Sequence, residues 1–259
     1  MLAIKSRGAA LLAFTSSILF PPACPGCRNL VQAPGTLCAG CWPRLRFLER
    51  PWCEVLGTPF PYDMGAGAIS PEAMASPPPF ARARAAVSYS GAARQIVQNL
   101  KYRDRTDLAP WMAAWMVRAG AELLKDADMV VPVPLHRRRF FWRGFNQSAE
   151  LARHVAQRAG LPLAVAAVER SKRTRQQVGL GAKAREDNVR GAFKVTDAEG
   201  VRGRRVLVID DVITTGATVS ALARALKRGG AREVDVLAFA RAIPGDMPGE
   251  MAVEWPGPS

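Results

Sequence analysis

Val206-Leu207-Val208-Ile209-Asp210-Asp211-Val212-Ile213-Thr214-Thr215-Gly216-Ala217-Thr218, followed by Val219, Leu222 and Leu226, is the stretch on which the fold turns. Four successive apolar residues with no polar alternation predict a strand buried on both faces, as in a parallel sheet. Val219, Leu222 and Leu226 recur at helical spacing, so the unit is strand, loop, helix, and the chain is read as α/β. At the helix start Thr214, Thr215, Gly216, Ala217 and Thr218 offer hydroxyls and free backbone N–H groups. With the helix dipole, such a terminus holds a phosphate dianion, and Gly216 lets the backbone approach it. Asp210 and Asp211 are adjacent acids that raise one another's pKa unless a polyol, a cation or a metal compensates. A ribose diol with magnesium nearby meets that need. A helix N-cap pair beside an ordinary strand is the plainer alternative.

Working outward, Val130-Val131-Pro132-Val133-Pro134-Leu135-His136 reads as a second buried strand entering a loop. The loop carries Arg137-Arg138-Arg139, Trp142 and Arg143-Gly144-Phe145-Asn146-Gln147, then a helix capped by Asn146 or Ser148. Ligands of open α/β sheets sit at the carboxyl ends of strands, which makes Arg143, Gly144, Asn146 and Gln147 candidates for a second anion site. After a short strand near Leu163 to Val168 comes a basic, weakly periodic stretch, read as a mobile lid in which Arg173, Thr174, Gln177 and Arg185 face the ligand. Upstream, a first strand is expected near Val87, with helices over Ala92–Leu100 and Leu108–Leu124, and Lys101 is placed to reach the phosphates. The final strand is expected over Glu233–Ala240.

The 259 residues carry 36 Lys and Arg against 22 Asp and Glu, a formal charge of +14, which favours polyanionic partners. Between Arg137 and Arg190 alone there are thirteen basic residues and four acids. Near the N-terminus Lys5 and Arg7 precede an apolar stretch, but Leu11, Phe14, Ile18 and Leu19 keep helical spacing and Pro21-Pro22 ends the run without a small-residue cleavage site. A docking helix is expected there rather than a signal peptide. No stretch reaches the roughly 20 apolar residues needed to cross a bilayer, and a soluble, cytoplasmic protein is expected.

Cys24-x2-Cys27 and Cys38-x2-Cys41 are two knuckles with zinc-ribbon spacing, whose four soft ligands close a tetrahedral, structural zinc site. Two disulfides would use the same four residues, but nothing else points to an oxidising compartment. Gly26 and Gly40 are read as the turn positions that need unusual backbone angles. Cys53 is left over. The Pro, Gly and Ala content of 51–79 reads as an irregular connector. The division expected is therefore 1–50 for helix and knuckle, 51–79 for connector, 80–243 for the α/β domain and 244–259 for a flexible tail.

The strand, the two acids and the Thr-Gly loop resemble the phosphoribosyltransferase signature. That resemblance implies a type I phosphoribosyltransferase fold in which Asp210 and Asp211 hold ribose hydroxyls and Thr214 to Thr218 cradle a 5'-phosphate. Purine-specific members often carry an acid where this chain has Thr214, which disfavours a purine protonated from that position. Pro132-x-Pro134-Leu135-His136, Arg143 to Gln147, Arg173-Thr174-x2-Gln177, Arg185-x2-Asn188, Leu100-Lys101-Tyr102 and the cysteine knuckle together resemble the ComF (competence protein F) family across nearly the whole chain. The resemblance implies a phosphoribosyl pyrophosphate ligand with magnesium, and a link to DNA uptake and natural transformation. Phosphoribosyl transfer to an unknown acceptor is one implication; the other is a non-catalytic module contacting single-stranded DNA or an uptake helicase. Members often carry a second cysteine cluster, of which only Cys53 survives here, with Leu56 where a partner would stand.

Overall fold

The computed structural model describes residues 21–102, 105–136, 144–171, 191–243 and 245–246. The expected N-terminal helix, the tail apart from 245–246, Arg143 and the lid candidates Arg173, Thr174, Gln177 and Arg185 lie outside the described residues.

The strands are β1 (Arg82–Ser88), β2 (Met129–Pro132), β3 (Val168–Arg170), β4 (Phe193–Val195), β5 (Arg205–Ile213) and β6 (Glu233–Arg241). The helices are α1 (Pro71–Ala75), α2 (Gly91–Tyr102), α3 (Ala109–Ala119), α4 (Ala121–Asp126), α5 (Gln147–Ala159), α6 (Ala198–Val201) and α7 (Ala217–Arg228). Four strands form a parallel sheet in the order β1-β6-β5-β2, while β3 and β4 pair antiparallel on their own.

The alternation along β5 explains its uninterrupted apolar run. Val206 and Val208 pack with Val219, Leu222 and Leu226 of α7, whereas Leu207 and Ile209 pack with Leu151 and Val155 of α5 and with Met112 of α3. A strand sandwiched between helical layers has no solvent face to carry polar residues. The site therefore rests on a sheet buried on both sides, with every loop of interest at the carboxyl ends of β2, β5 and β6.

Two expectations need correction. The single helix read over Leu108–Leu124 divides at Gly120 into α3 and α4. A β-carbon at Gly120 would stand 2.7 Å from a methyl of Leu237, so close packing on the sheet demands glycine at the break. The strand read near Leu163–Val168 is one bridge from Leu163 to Val130, then a turn, then β3.

The cysteine-bearing segment packs on the β1 edge. Leu48 N–H donates to Ala86 O at 3.1 Å and Ser88 N–H to Arg46 O at 2.8 Å. Asn99 of α2 donates its side-chain amide to Pro25 O at 2.8 Å. Phe47, Trp111 and Trp115 seal the junction, with ring centres 4.8 Å (Phe47–Trp115) and 4.1 Å (Trp111–Trp115) apart.

Candidate ligand site and cysteine centre

Asp210 and Asp211 lie at the end of β5, both buried. Ser148, in the first turn of α5, donates its hydroxyl to Asp210 Oδ1 at 2.9 Å, and the Asp211 N–H donates to the same oxygen at 2.9 Å. The Lys101 ammonium stands 2.7 Å from Asp211 Oδ2. One ammonium thus faces two carboxyl groups. Burial, and then the charge of Asp211, push Asp210 up to about 7 despite Lys101 and Ser148. Burial works against the Lys101 charge, but Asp211 outweighs it and holds the ammonium protonated. The pair is short of one positive charge, and hydroxyl donors or a divalent cation are the groups that relieve such a deficit. An all-oxygen donor set of this kind fits magnesium.

Beyond β5 the chain turns through Thr214 and Thr215, both exposed, to Gly216 at φ 75°, a left-handed conformation that favours glycine. No side-chain hydrogen bond caps α7. Ala217 N–H makes only a long contact to Thr215 Oγ1, at 3.5 Å, and the positive end of the helix dipole faces this turn, the arrangement that favours an anion. Thr214, Thr215, Gly216, Ala217 and Thr218 are all on this one turn.

The residues read as a second anion site part company. Gly144 adopts φ 72° in the loop after β2. Asn146 is occupied structurally: its Oδ1 accepts from Ser148 N–H at 3.1 Å as the α5 cap, and its Nδ2 donates to Val133 O at 3.1 Å. Gln147 is buried at the start of α5. Lys101, read as reaching the phosphates, forms an ion pair with Asp211. Ser148, read only as an alternative cap, is brought to the acid pair. The order of those roles could be read only once α5 was placed beside β5.

The four cysteine sulfurs of Cys24, Cys27, Cys38 and Cys41 lie within 4.8 Å of one another. Tetrahedral zinc with bonds of about 2.3 Å needs sulfurs roughly 3.8 Å apart, so the set fits the ion with little movement. Burial opposes ionisation of Cys24, yet N–H groups of Cys38, Cys27 and Gly26 draw it down to about 6. Burial and the neighbouring thiols push Cys41 up to about 12. Four thiols at this spacing cannot all ionise without a cation among them. The left-handed residue of the first knuckle is Arg28, at φ 71°, rather than Gly26 or Gly40. What Gly26 supplies is room, since a β-carbon there would stand 2.9 Å from Cys41 Sγ.

The four cysteines thus close one joint knuckle around Cys24, and a second knuckle of the same backbone design follows around Cys53. In the first, Cys24 N–H donates to Asn29 O at 2.7 Å, Arg28 N–H donates to Cys24 O at 3.0 Å, and Ala23 bridges Leu30. In the second, Cys53 N–H donates to Thr58 O at 2.8 Å, Gly57 N–H donates to Cys53 O at 2.7 Å, and Trp52 bridges Pro59. Cys38 N–H points at Cys24 Sγ at 3.4 Å, and Ser70 N–H points at Cys53 Sγ at 3.2 Å. By this correspondence Leu56, Ser70 and Ala73 occupy the places of Cys27, Cys38 and Cys41. All three are buried with Cys53 against Leu48 and Phe80 or at the edge of that cluster. The stretch 51–79 holds this unit together with α1.

Residues 15–70 match the double zinc ribbon domain family, and residues 146–251 match the phosphoribosyl transferase domain family. The DNA utilization protein YhgH of Escherichia coli (strain K12) is 31% identical over 172 residues, covering 64% of this chain and 75% of that protein. Competence protein F of Haemophilus influenzae is 28% identical over 226 residues, covering 85% of this chain and 96% of that one. Among solved structures, a purine phosphoribosyltransferase from Pyrococcus horikoshii Ot3 aligns at 19% identity over 51% of this chain and 73% of that one, with a TM-score of 0.33. Among the described residues, no helix is long and apolar enough to cross a membrane.

Proposed function

Because the chain belongs to the family of the DNA utilization protein YhgH and competence protein F, we propose that it binds phosphoribosyl pyrophosphate with magnesium and acts in DNA uptake or utilisation. The observation that carries the reading is the acid pair at the end of β5, one positive charge short, beside an uncapped helix N-terminus. A polyol next to a phosphate, five or six bonds apart, is the ligand chemistry that answers both at once.

In this reading the ribose 2- and 3-hydroxyls donate to Asp210 and Asp211. Ser148 and the Asp211 N–H orient the Asp210 carboxyl, and Lys101 holds the Asp211 carboxyl in place. The turn from Thr214 to Thr218 holds the 5'-phosphate by amides and hydroxyls. Bound magnesium would supply charge neutralisation for the pyrophosphate and hold it in one orientation. Gly144 and the loop after β2 frame the pyrophosphate, with Arg143 as its cation. Arg173, Thr174, Gln177 and Arg185 are proposed to close over it and exclude water as positive charge builds on the ribose.

The test is calorimetric titration of the zinc-loaded protein with phosphoribosyl pyrophosphate and magnesium. Wild type is expected to bind saturably, and the double change Asp210→Asn, Asp211→Asn to lose that binding while keeping its melting transition. A folded wild type that fails to bind would sink this reading. The phosphoribosyltransferase fold would then serve contacts to single-stranded DNA or a helicase, for which binding should fall steeply with salt.

A further inference from the structure

A cavity of about 390 Å³ lies between the second knuckle and the end of the sheet, with Leu56, Glu72 and Ser76 on one wall and Thr215, Ser220 and Arg241 on the other. Arg241 is the last residue of β6 and is 7% exposed. Its Nε and Nη1 are buried without a hydrogen-bond partner among the described residues.

Among the described arginines, Arg241 alone has two such buried nitrogens; Arg84 and Arg170 each have one, Nε. Arg84, buried still more deeply, has the carboxylates of Glu54 and Glu122 at 2.7 and 2.5 Å and the carbonyls of Glu54 and Ala83 at 2.9 Å. Arg82 and Arg205 share the buried carboxylate of Asp235 at 2.9 and 2.8 Å. Burying a guanidinium without hydrogen-bond partners is costly, and a structure tolerates it where a ligand completes the site. Burial disfavours the Arg241 charge, and the nearby charges of Glu72 and Cys53 only partly restore it.

Its position says what such a ligand adjoins. Arg241 pairs in register with Ile213, the residue just before the phosphate loop, and Thr215 lines the same cavity. A molecule on Arg241 therefore lies beside whatever fills the turn from Thr214 to Thr218. We propose that this cavity is the acceptor site of phosphoribosyl transfer, and that it takes a small nucleophile of heterocycle size whose carboxylate pairs with Arg241. The proposal rests on the phosphoribosyl pyrophosphate reading given above. A nitrogen lone pair of the acceptor forms the new bond to C1 of the ribose. The bond from C1 to the pyrophosphate oxygen breaks with its electron pair leaving on pyrophosphate, which also takes up the proton that the nitrogen loses. The second knuckle then has a task besides structure: Leu56, together with the segment from Glu72 to Phe80, forms the lid wall of the acceptor site.

The probes are orotate, a six-membered ring bearing a carboxylate, and uracil, the same ring without it. Each is titrated into the zinc-loaded full chain held with ribose 5-phosphate and magnesium, which cannot react. Wild type is expected to prefer orotate over uracil by about tenfold or more, the worth of one charge-assisted pair. Arg241→Gln should erase that preference while leaving affinity for phosphoribosyl pyrophosphate within about threefold. Glu72→Gln removes a repelling carboxylate and should tighten orotate by about threefold. Ser220→Phe, which fills the cavity without touching the cation, should abolish orotate binding and serves if Arg241→Gln does not fold. Wild type that binds phosphoribosyl pyrophosphate but shows no preference for orotate overturns this inference alone. So does an Arg241→Gln protein whose loss falls equally on phosphoribosyl pyrophosphate, since the guanidinium would then be reading the 5'-phosphate. Failure of wild type to bind phosphoribosyl pyrophosphate overturns the function reading, and this one with it.

Discussion

Two knuckles of the same backbone design stand side by side, and they are held together by opposite means. Around Cys24 the hydrogen bonds to Asn29 and from Arg28 shape a turn whose sulfur meets three others. Around Cys53 the same bonds, to Thr58 and from Gly57, shape a turn whose sulfur meets Leu56 and Ala73. The first closes on a cation. The second closes on itself as a small apolar core, continuous with Leu48, Phe80 and the α7 side of the sheet. The second turn thus holds the shape of the first by packing on the large domain. The first has a smaller core: among the described residues Cys24 and Cys41 share their fully buried cluster with Ala92, edged by Val31, Leu37 and Leu45.

The largest expected effect follows from that contrast. Structural zinc contributes about 10 kcal/mol or more to a small ribbon, because the site does not exist in the unfolded chain. Chelation, or Cys41→Ser, should therefore unfold the first knuckle while the second stays folded. Hydrogen exchange checks it: the Arg28 and Cys24 amides should lose protection and the Gly57 and Cys53 amides keep it. Zinc analysis should give one ion per chain. Equal loss of protection in both turns would break the comparison.

Next in size is the apolar plug. Leu56→Ala removes the side chain that replaces a ligand and should cost about 3 kcal/mol by leaving a cavity, read by denaturant unfolding, with zinc content unchanged. The reverse experiment sharpens the point. Installing three thiols, Leu56→Cys with Ser70→Cys and Ala73→Cys, gives the second knuckle the complement of the first. Zinc per chain should rise from one to two, because the backbone N–H of Ser70 already points at Cys53 Sγ as that of Cys38 does at Cys24 Sγ. Failure of the ratio to rise would mean that the two turns differ in shape more than their hydrogen bonds suggest.

What could be read from the chain itself divides along a physical line. The β5 strand, its acid pair and the glycine turn are contiguous, and local pattern carries them whole. The four cysteines are legible because metal ligands are a residue-type constraint. Ser148 on Asp210 joins residues far apart in the chain, a contact that appears only when α5 is laid against β5. The partner of Lys101 is hidden for the same reason. The second knuckle is written in backbone hydrogen bonds, which many side chains satisfy equally, so only Cys53 and Gly57 mark it. Gly57 carries a real signal: it sits at φ 66°, and a β-carbon would stand 2.2 Å from Ala83 O. Arg28, at the matching place and φ 71°, faces no such wall and need not be glycine. Arg241 ends an ordinary buried strand, and nothing in its neighbours along the chain shows that it lacks a partner.

The smallest expected effect isolates what a cysteine does in each turn. Cys53 Sγ accepts from the N–H groups of Leu56 and Ser70 at 3.4 and 3.2 Å. Burial works against its ionisation, but the Ser70 hydroxyl and then the N–H groups of Leu56, Ser70 and Val55 bring the thiol below its usual value. Acceptance is a task a hydroxyl also performs, so Cys53→Ser should cost about 1 kcal/mol, the price of burying a slightly more polar group. Cys53→Ala leaves both N–H groups without an acceptor and should cost about 2 kcal/mol. Cys24→Ser, the same change at the matching position, should instead lose the zinc, because a serine hydroxyl does not replace a thiolate as a soft ligand. Denaturant unfolding with zinc analysis on the three variants separates the roles. If Cys53→Ser lowered zinc content as Cys24→Ser does, Cys53 would have to be counted among the ligands, and the second knuckle would be no apolar core at all.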